Sequence, residues 1–259
     1  MKKFLSHLEC SVCKTVHSPK EVQTVCKSCG KSLLARYDLK SAKKELKRSD
    51  VAARSNSFWK FSSLLPVEDE SNVVSLGESV TPLVKLARIG GELGMKELWM
   101  KDEGLLPTGS FKARGLALAV SKAKELGVKN ICLPSAGNAA GASSAYAARA
   151  GLKCFVFMPE DTPSVNIKEC QAYGAQVALI KGTISDAGKA MGEARKAFPD
   201  WFDVSTLKEP YRLEGKKTMG YELAEQFGWT LPDVIFYPTG GGTGLIGMWK
   251  AFDEMEQLG

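Results

Sequence analysis

Five short apolar runs, each followed by a stretch of helical composition, constrain this chain more than any other feature. The runs are 98–101, 130–134, 153–158, 176–180 and 233–237; the helical stretches are 110–126, 138–150, 165–173, 185–198, 212–227 and 244–258. Short strands alternating with longer helices make βαβ units, which pair as a parallel sheet with helices on its faces. An α/β protein is therefore expected, with a charged helical connector over 40–56 leading into it. In such folds ligands sit where strand C-termini meet helix N-termini.

Composition removes several classes. Lys and Arg number 35 against 29 Asp and Glu, but the excess is local. Residues 1–50 hold 12 basic and 5 acidic side chains, net +7, whereas residues 51–259 hold 23 and 24, net −1. The body carries no polyanion-binding stripe, and no nucleic-acid partner is expected for it. No window approaches the roughly 18 apolar residues of a membrane span, and the polar start has no signal-peptide core. A cytoplasmic protein with no membrane partner is expected. His7 and His17 are the only histidines. Beyond them no Ser-His-Asp or Cys-His pair can be built, so the body's chemistry must run on lysine, hydroxyls, carboxylates or a cofactor.

Cys10, Cys13, Cys26 and Cys29 form two C-x2-C pairs separated by twelve residues. Each pair aims two thiolates at one tetrahedral ion, which is zinc-ribbon spacing; zinc is expected, with iron as the alternative. Two disulfides would imply secretion, and redox C-x2-C pairs come singly. Cys132 and Cys154 lie in apolar runs as buried hydrophobes, and Cys170 lies in a helical stretch. A ribbon within an N-terminal segment of net +7 (residues 1–50) fits a nucleic-acid module and a metal-stapled, lysine-solubilised appendage about equally.

Three strand-to-helix junctions are chemically loaded. In PTGSFK (107–112) a Pro/Gly turn runs into a helix that begins near Lys112. The helix dipole disfavours a cation there and lowers the amine's basicity, which suits Schiff-base chemistry; alone, Lys112 would read as a surface lysine. SAGNAAG (135–141) ends a strand in small residues and opens a helix at Asn138, an amide donor or a plain helix cap. GGGTG comprises Gly240, Gly241, Gly242, Thr243 and Gly244, a nest of N–H groups for a phosphate. It is not a P-loop, and its match to the dinucleotide pattern lacks the acidic residue that would bind ribose.

A reactive lysine, an amide at a helix start and a phosphate nest describe a pyridoxal-phosphate site. In order and composition the three motifs resemble those of fold-type-II pyridoxal-phosphate enzymes. The four-cysteine ribbon running into LARYD (34–38), with DVSTLKEPYRLEGKKT (203–218), resembles threonine synthases in particular. The resemblance covers essentially the whole chain. It implies a tryptophan-synthase-β-like fold of two parallel-sheet α/β domains plus a zinc ribbon. The implied division is 1–38 ribbon, 39–56 linker, 57–115 with 219–259 large domain, and 116–218 small domain. It also implies that Lys112 binds the cofactor aldehyde and serves as the base, and that Asn138 contacts the cofactor ring oxygen. Gly240, Gly241, Gly242, Thr243 and Gly244 would hold the cofactor phosphate. Ser135 and Ala139 would line the substrate-carboxylate side, and Arg212 would bind the substrate phosphate through its bidentate fork. The implied reaction takes O-phosphohomoserine and water to threonine and phosphate.

One departure accompanies the resemblance. Threonine synthases continue well past the glycine loop and complete the large domain there. This chain is expected to be a C-terminally truncated form with an incomplete large domain, and a homodimer is the candidate assembly. Sister activities on the same scaffold are threonine/serine dehydratase and a cysteate-synthase-like β-replacement. The reading of another class is a catalytically silent zinc-ribbon binding protein.

Overall fold

Alternating burial along the first strands seats a small sheet against the body. The computed structural model describes residues 2–259. Strands β1 (Leu5–Cys10), β2 (Val16–His17) and β3 (Leu33–Tyr37) pair antiparallel in the order β2-β1-β3. Phe4, Leu8, Leu33 and Ala35 from this ribbon share a core with Phe61, Leu64, Tyr211, Tyr221 and Ala251 of the body. The expected helical connector is two short helices, α1 (Leu39–Glu45), whose first turn is capped by the Asp38 carboxylate, and α2 (Arg48–Ala52). Strands β4 (Leu83–Lys85) and β5 (Trp99–Lys101) flank α3 (Ala87–Glu92) and form an antiparallel pair.

The main layer follows. Helix α4 (Lys112–Glu125) leads to β6 (Asn130–Pro134), α5 (Asn138–Ala150), β7 (Lys153–Pro159), α6 (Ser164–Ala172), β8 (Gln176–Ile180), α7 (Ile184–Ala197) and β9 (Trp201–Asp203). The four strands are parallel in the order β8-β7-β6-β9. Ile131, Leu133, Val156 and Met158 face α4, α5 and α6, whereas Cys132, Phe157 and Trp201 face Ala187 and Met191 of α7. Burial on both faces explains why these strands read as continuous apolar runs. After β8 the chain returns to pair β9 with β6, so the order reverses between those two strands. Their C-terminal ends open onto the crevice where ligands of open α/β sheets bind.

Helices α8 (Tyr211–Gln226) and α9 (Thr243–Leu258) close the body. Helix α8 crosses α4 closely because both carry glycine at the crossing. A side chain on Gly215 would overlap the Arg114 carbonyl, and one on Gly115 would lie 3.0 Å from the Arg212 carbonyl. Arg114, wholly buried, locks the crossing through Glu222 at 2.6 Å, Glu103 at 2.7 Å and Thr218 at 2.9 Å. Both helices run unbroken through 115/116 and 218/219, where the sequence reading divides the domains.

One expected strand needs correction. Residues 233–237 form no strand, and none of the three sheets pairs with them. Val234 and Phe236 stand 65% and 78% exposed, because apolar alternation alone cannot hold a strand without an edge to bond to. No helix of the described residues is long and apolar enough to cross a membrane.

The crossing yields a test. Gly215→Val should destabilise the protein by about 1–3 kcal/mol in urea unfolding, the usual cost of overpacking a tight contact. Gly192→Ala on α7, where an added methyl meets nothing within 4 Å, should be neutral or stabilising. Equal effects at the two positions would contradict the close crossing.

Candidate active site

The turn before α4 presents Lys112. Thr108 and Gly109 both adopt left-handed backbone, φ 63° and 65°, an arrangement uncommon for threonine. The chain then straightens at Ser110, and Lys112 becomes the first residue of α4. Its Nζ lies 3.9 Å from the centre of the Phe111 ring. Burial, and then the nearby Arg212 guanidinium, lower its basicity.

Arg212 comes from the first turn of α8. The Glu209 carboxylate accepts the Tyr211 and Arg212 backbone N–H groups at 2.6 and 3.0 Å, anchoring that turn. Burial pushes the Glu209 acid up to about 7. Arg212 is 2% exposed; one Nη donates to the Val204 carbonyl at 2.7 Å, and its Nε has no partner. A buried donor left unmade is costly, and an acceptor entering the cleft would relieve that cost.

The glycine turn lines the same cleft. Gly242, at φ 77°, caps α9, so the free N–H groups at that helix start sit beside Gly240, Gly241, Thr243 and Gly244. Phe111, Lys112, Thr206, Arg212, Lys216 and Tyr237 complete one cleft with this turn. Tyr237 packs edge-on against Phe111, and its buried hydroxyl lacks a partner. The structure thus brings together Lys112, Arg212 and all five residues of the glycine turn. Ser135, Asn138 and Ala139 do not line this cleft. They lie at the C-terminal end of β6, where Asn138 is exposed as the first residue of α5. The Asn166 amide holds their loop by donating to the Ala136 carbonyl at 2.9 Å, and the 107–109 turn packs against α5.

Sequence reading overlooked Lys216. Its spacing from Arg212 was the available signal, since residues four apart share a helix face; the Lys216–Lys217 doublet instead suggests a solvated pair. In the structure both are buried, and they face different ways. Lys217 pairs with Glu214 and Glu254 at 2.8 and 3.0 Å, whereas Lys216 enters the cleft.

The ribbon holds a second candidate centre. Cys10, Cys13, Cys26 and Cys29 place their sulfurs within 4.8 Å of one another, with contacts of 3.4 and 3.5 Å. All four are free thiols. Tetrahedral zinc with ~2.3 Å bonds separates sulfurs by roughly 3.8 Å, so the cluster fits such an ion. A hydrogen bond from Thr15, first among several, lowers the Cys13 thiol to about 6, towards the thiolate a metal needs.

Comparison with known proteins bears on this arrangement. The family model described as "Pyridoxal-phosphate dependent enzyme" matches residues 74–258. A "Threonine synthase" of Methanocaldococcus jannaschii is 36% identical over 251 residues, 96% of this chain and 61% of that protein. A "Threonine synthase" of a Bacillus species is 39% identical over 198 residues, 76% of this chain and 55% of that protein. The chain therefore spans about 61% or less of the length of these relatives. Among solved structures, the processed form of threonine deaminase isoform 2 from Solanum lycopersicum superposes with a TM-score of 0.60 at 26% identity. That match covers 68% of this chain and 48% of the other.

The cleft makes a pH-dependent prediction. Burial, followed by Arg212 and Lys112, lowers Lys216 to about 6 from the ordinary 10.5. Below pH 6 folding therefore carries the full cost of this buried ammonium. Between pH 6 and 10.5 the unfolded chain binds the extra proton, so the cost fades as pH rises. In phosphate-free buffer, Lys216→Met should be more stable than the parent by a margin greatest near pH 6. That margin should narrow by up to about 1.4 kcal/mol per pH unit in urea unfolding. A margin independent of pH would contradict the burial of an unpaired amine.

Proposed function

The chain belongs to the pyridoxal-phosphate dependent enzyme family, and on that premise we propose that it acts as a threonine synthase, converting O-phosphohomoserine and water to threonine and phosphate. The observation that carries this reading is the cleft's double demand for anions. The glycine turn suits one phosphate, and Arg212 in the same cleft, with an unpartnered buried Nε, suits another. A cofactor phosphate and a substrate phosphate meet both demands. Relatives with the printed name "Threonine synthase" add to the case.

The residues fit pyridoxal phosphate. Lys112 would hold its aldehyde, Asn138 its ring oxygen, and Gly240 through Gly244 its phosphate. When bound, the cofactor supplies an electron sink for negative charge beside the substrate amine. Lys112 supplies the proton transfers. Desolvation and Arg212 lower the basicity of its amine, which favours the uncharged form that can take a proton from the substrate Cα and then from Cβ. Arg212 grips the substrate phosphate and stabilises charge as that group departs. Ser135 and Ala139, outside the cleft at the end of β6, would border the substrate carboxylate. Water then adds its hydroxyl at Cβ; of the protons given up by Cα, Cβ and water, two return to Cγ and Cα and one leaves on the phosphate.

The likeness to a threonine deaminase supports one sister reading, a dehydratase releasing 2-oxobutanoate. A dehydratase substrate carries no phosphate, which leaves Arg212 without a role. With O-phosphohomoserine, the cofactor-loaded protein should release threonine and phosphate one to one. Arg212→Ala should lower kcat/KM by about 10- to 100-fold, the range for losing a charged hydrogen bond. 2-Oxobutanoate as the main product would favour the sister activity.

We also propose that the four cysteines hold a structural zinc ion. Elemental analysis should find one zinc per chain, and Cys26→Ser should abolish it and unprotect β1 and β3 to hydrogen exchange. A metal-free chain with a protected ribbon would refute this.

A further inference from the structure

Lys216 is the one cation of the cleft to which the foregoing chemistry gives no task. It is 2% exposed, and among the described residues no carboxylate, carbonyl or hydroxyl hydrogen-bonds its amine. The other buried lysines are all paired: Lys60 with Glu225, Lys122 with Glu125, and Lys217 and Lys250 with Glu214 and Glu254. Lys216 instead lies with its amine 4.1 Å from the centre of the Phe111 ring that also carries the Lys112 amine. Its stem runs over Gly115, where any side chain would crowd its Cε at 3.2 Å. The charged groups acting on it are Arg212 from its own helix, Lys112 from α4 and Glu103 from the loop before α4. Glu103 is already engaged by Arg114 and Thr81.

Three basic side chains thus converge on one small cleft without an ion pair there. Holding all of them charged opposes folding, because buried charge is tolerated only when it is paired, so Lys216 discharges unless an anion enters. Arg212 and Lys216 stand four residues apart on one face of α8 and line the same small cleft as the glycine turn. We propose that Lys216 is a second phosphate-binding side chain of this cleft, acting with Arg212 on the substrate's phosphate rather than on the cofactor's. This rests on the threonine-synthase reading for the identity of the substrate, while the binding of phosphate itself is independent of it. The lowered basicity of the amine sharpens the consequence. At neutral pH Lys216 enters the encounter uncharged, and a dianion beside it draws a proton onto the amine, so phosphate binding takes up a proton from solution.

Titration calorimetry of inorganic phosphate into the cofactor-loaded full chain tests this, at pH 7.5 in two buffers of different ionisation enthalpy. The parent should bind phosphate with net proton uptake. Lys216→Met should weaken phosphate by about 10- to 100-fold, the range for losing a charged hydrogen bond, while pyridoxal-phosphate affinity stays within about twofold. Lys216→Arg, which cannot discharge, should keep most of the affinity and lack the additional uptake seen in the parent. Lys216→Gln serves in place of the methionine variant if that variant fails to fold. Phosphate affinity unchanged in Lys216→Met or Lys216→Gln overturns the proposal, as does a parent that does not bind phosphate. Loss of cofactor affinity instead reassigns Lys216 to the cofactor's phosphate and overturns it equally. If the parent takes up no pyridoxal phosphate, the same titration is run without it; phosphate binding lost in Lys216→Met then leaves the phosphate site standing while the enzyme reading is refuted.

Discussion

The crossing of α4 and α8 is the contact on which the rest of the structure depends. Glycine at 115 and 215 lets two backbones approach as no side-chain-bearing pair could, and the buried Arg114 ties them through Glu103, Glu222 and Thr218. Because α4 begins at Lys112 and α8 carries Arg212 and Lys216, the crossing sets how far apart these three cations stand. A small shift along either helix axis would separate them. Packing here decides chemistry: helices able to approach less closely would leave the same side chains unable to share a ligand.

The two sides of α8 treat buried charge in opposite ways. Towards the ribbon, Glu214 accepts from the Tyr37 hydroxyl at 2.7 Å, and Glu254 accepts from the Tyr221 hydroxyl, while Lys217 and Lys250 bridge the two carboxylates. Every charge there has an opposite neighbour, so that side is a structural joint between ribbon and body. The ribbon reaches the site's approach as well, through Ser32, whose hydroxyl donates to the Leu207 carbonyl at 2.9 Å. Towards the cleft, Lys112, Arg212 and Lys216 gather without a direct ion pair. Among the described residues Lys216 is the one buried lysine without a carboxylate partner, and it lines the cleft.

Much of this was legible in the sequence, for identifiable reasons. Strands Asn130–Pro134 and Gln176–Ile180 and helix Asn138–Ala150 fall where apolar runs and helical composition place them. Burial on both faces leaves an uninterrupted signature in the strands, and the glycine at 151 ends the helix. The cysteine spacing pointed to the four-sulfur cluster because metal geometry dictates spacing locally. The run 233–237 misled because strand character was inferred from side chains, whereas a strand exists only with a bonded neighbour. The three-residue β9 was too short to show a pattern. Lys216 escaped because the sequence does not say which member of a lysine doublet a helix turns inward; that is fixed by the α4 crossing.

The central claim is that this crossing builds a pyridoxal-phosphate site around Lys112. The most direct test is to load the chain with the cofactor, reduce with borohydride, digest, and locate the mass of the attached pyridoxyl group. The account predicts modification at Lys112 alone, with Lys216 and the other lysines untouched. Attachment at Lys216, or at surface lysines in no fixed place, would contradict it.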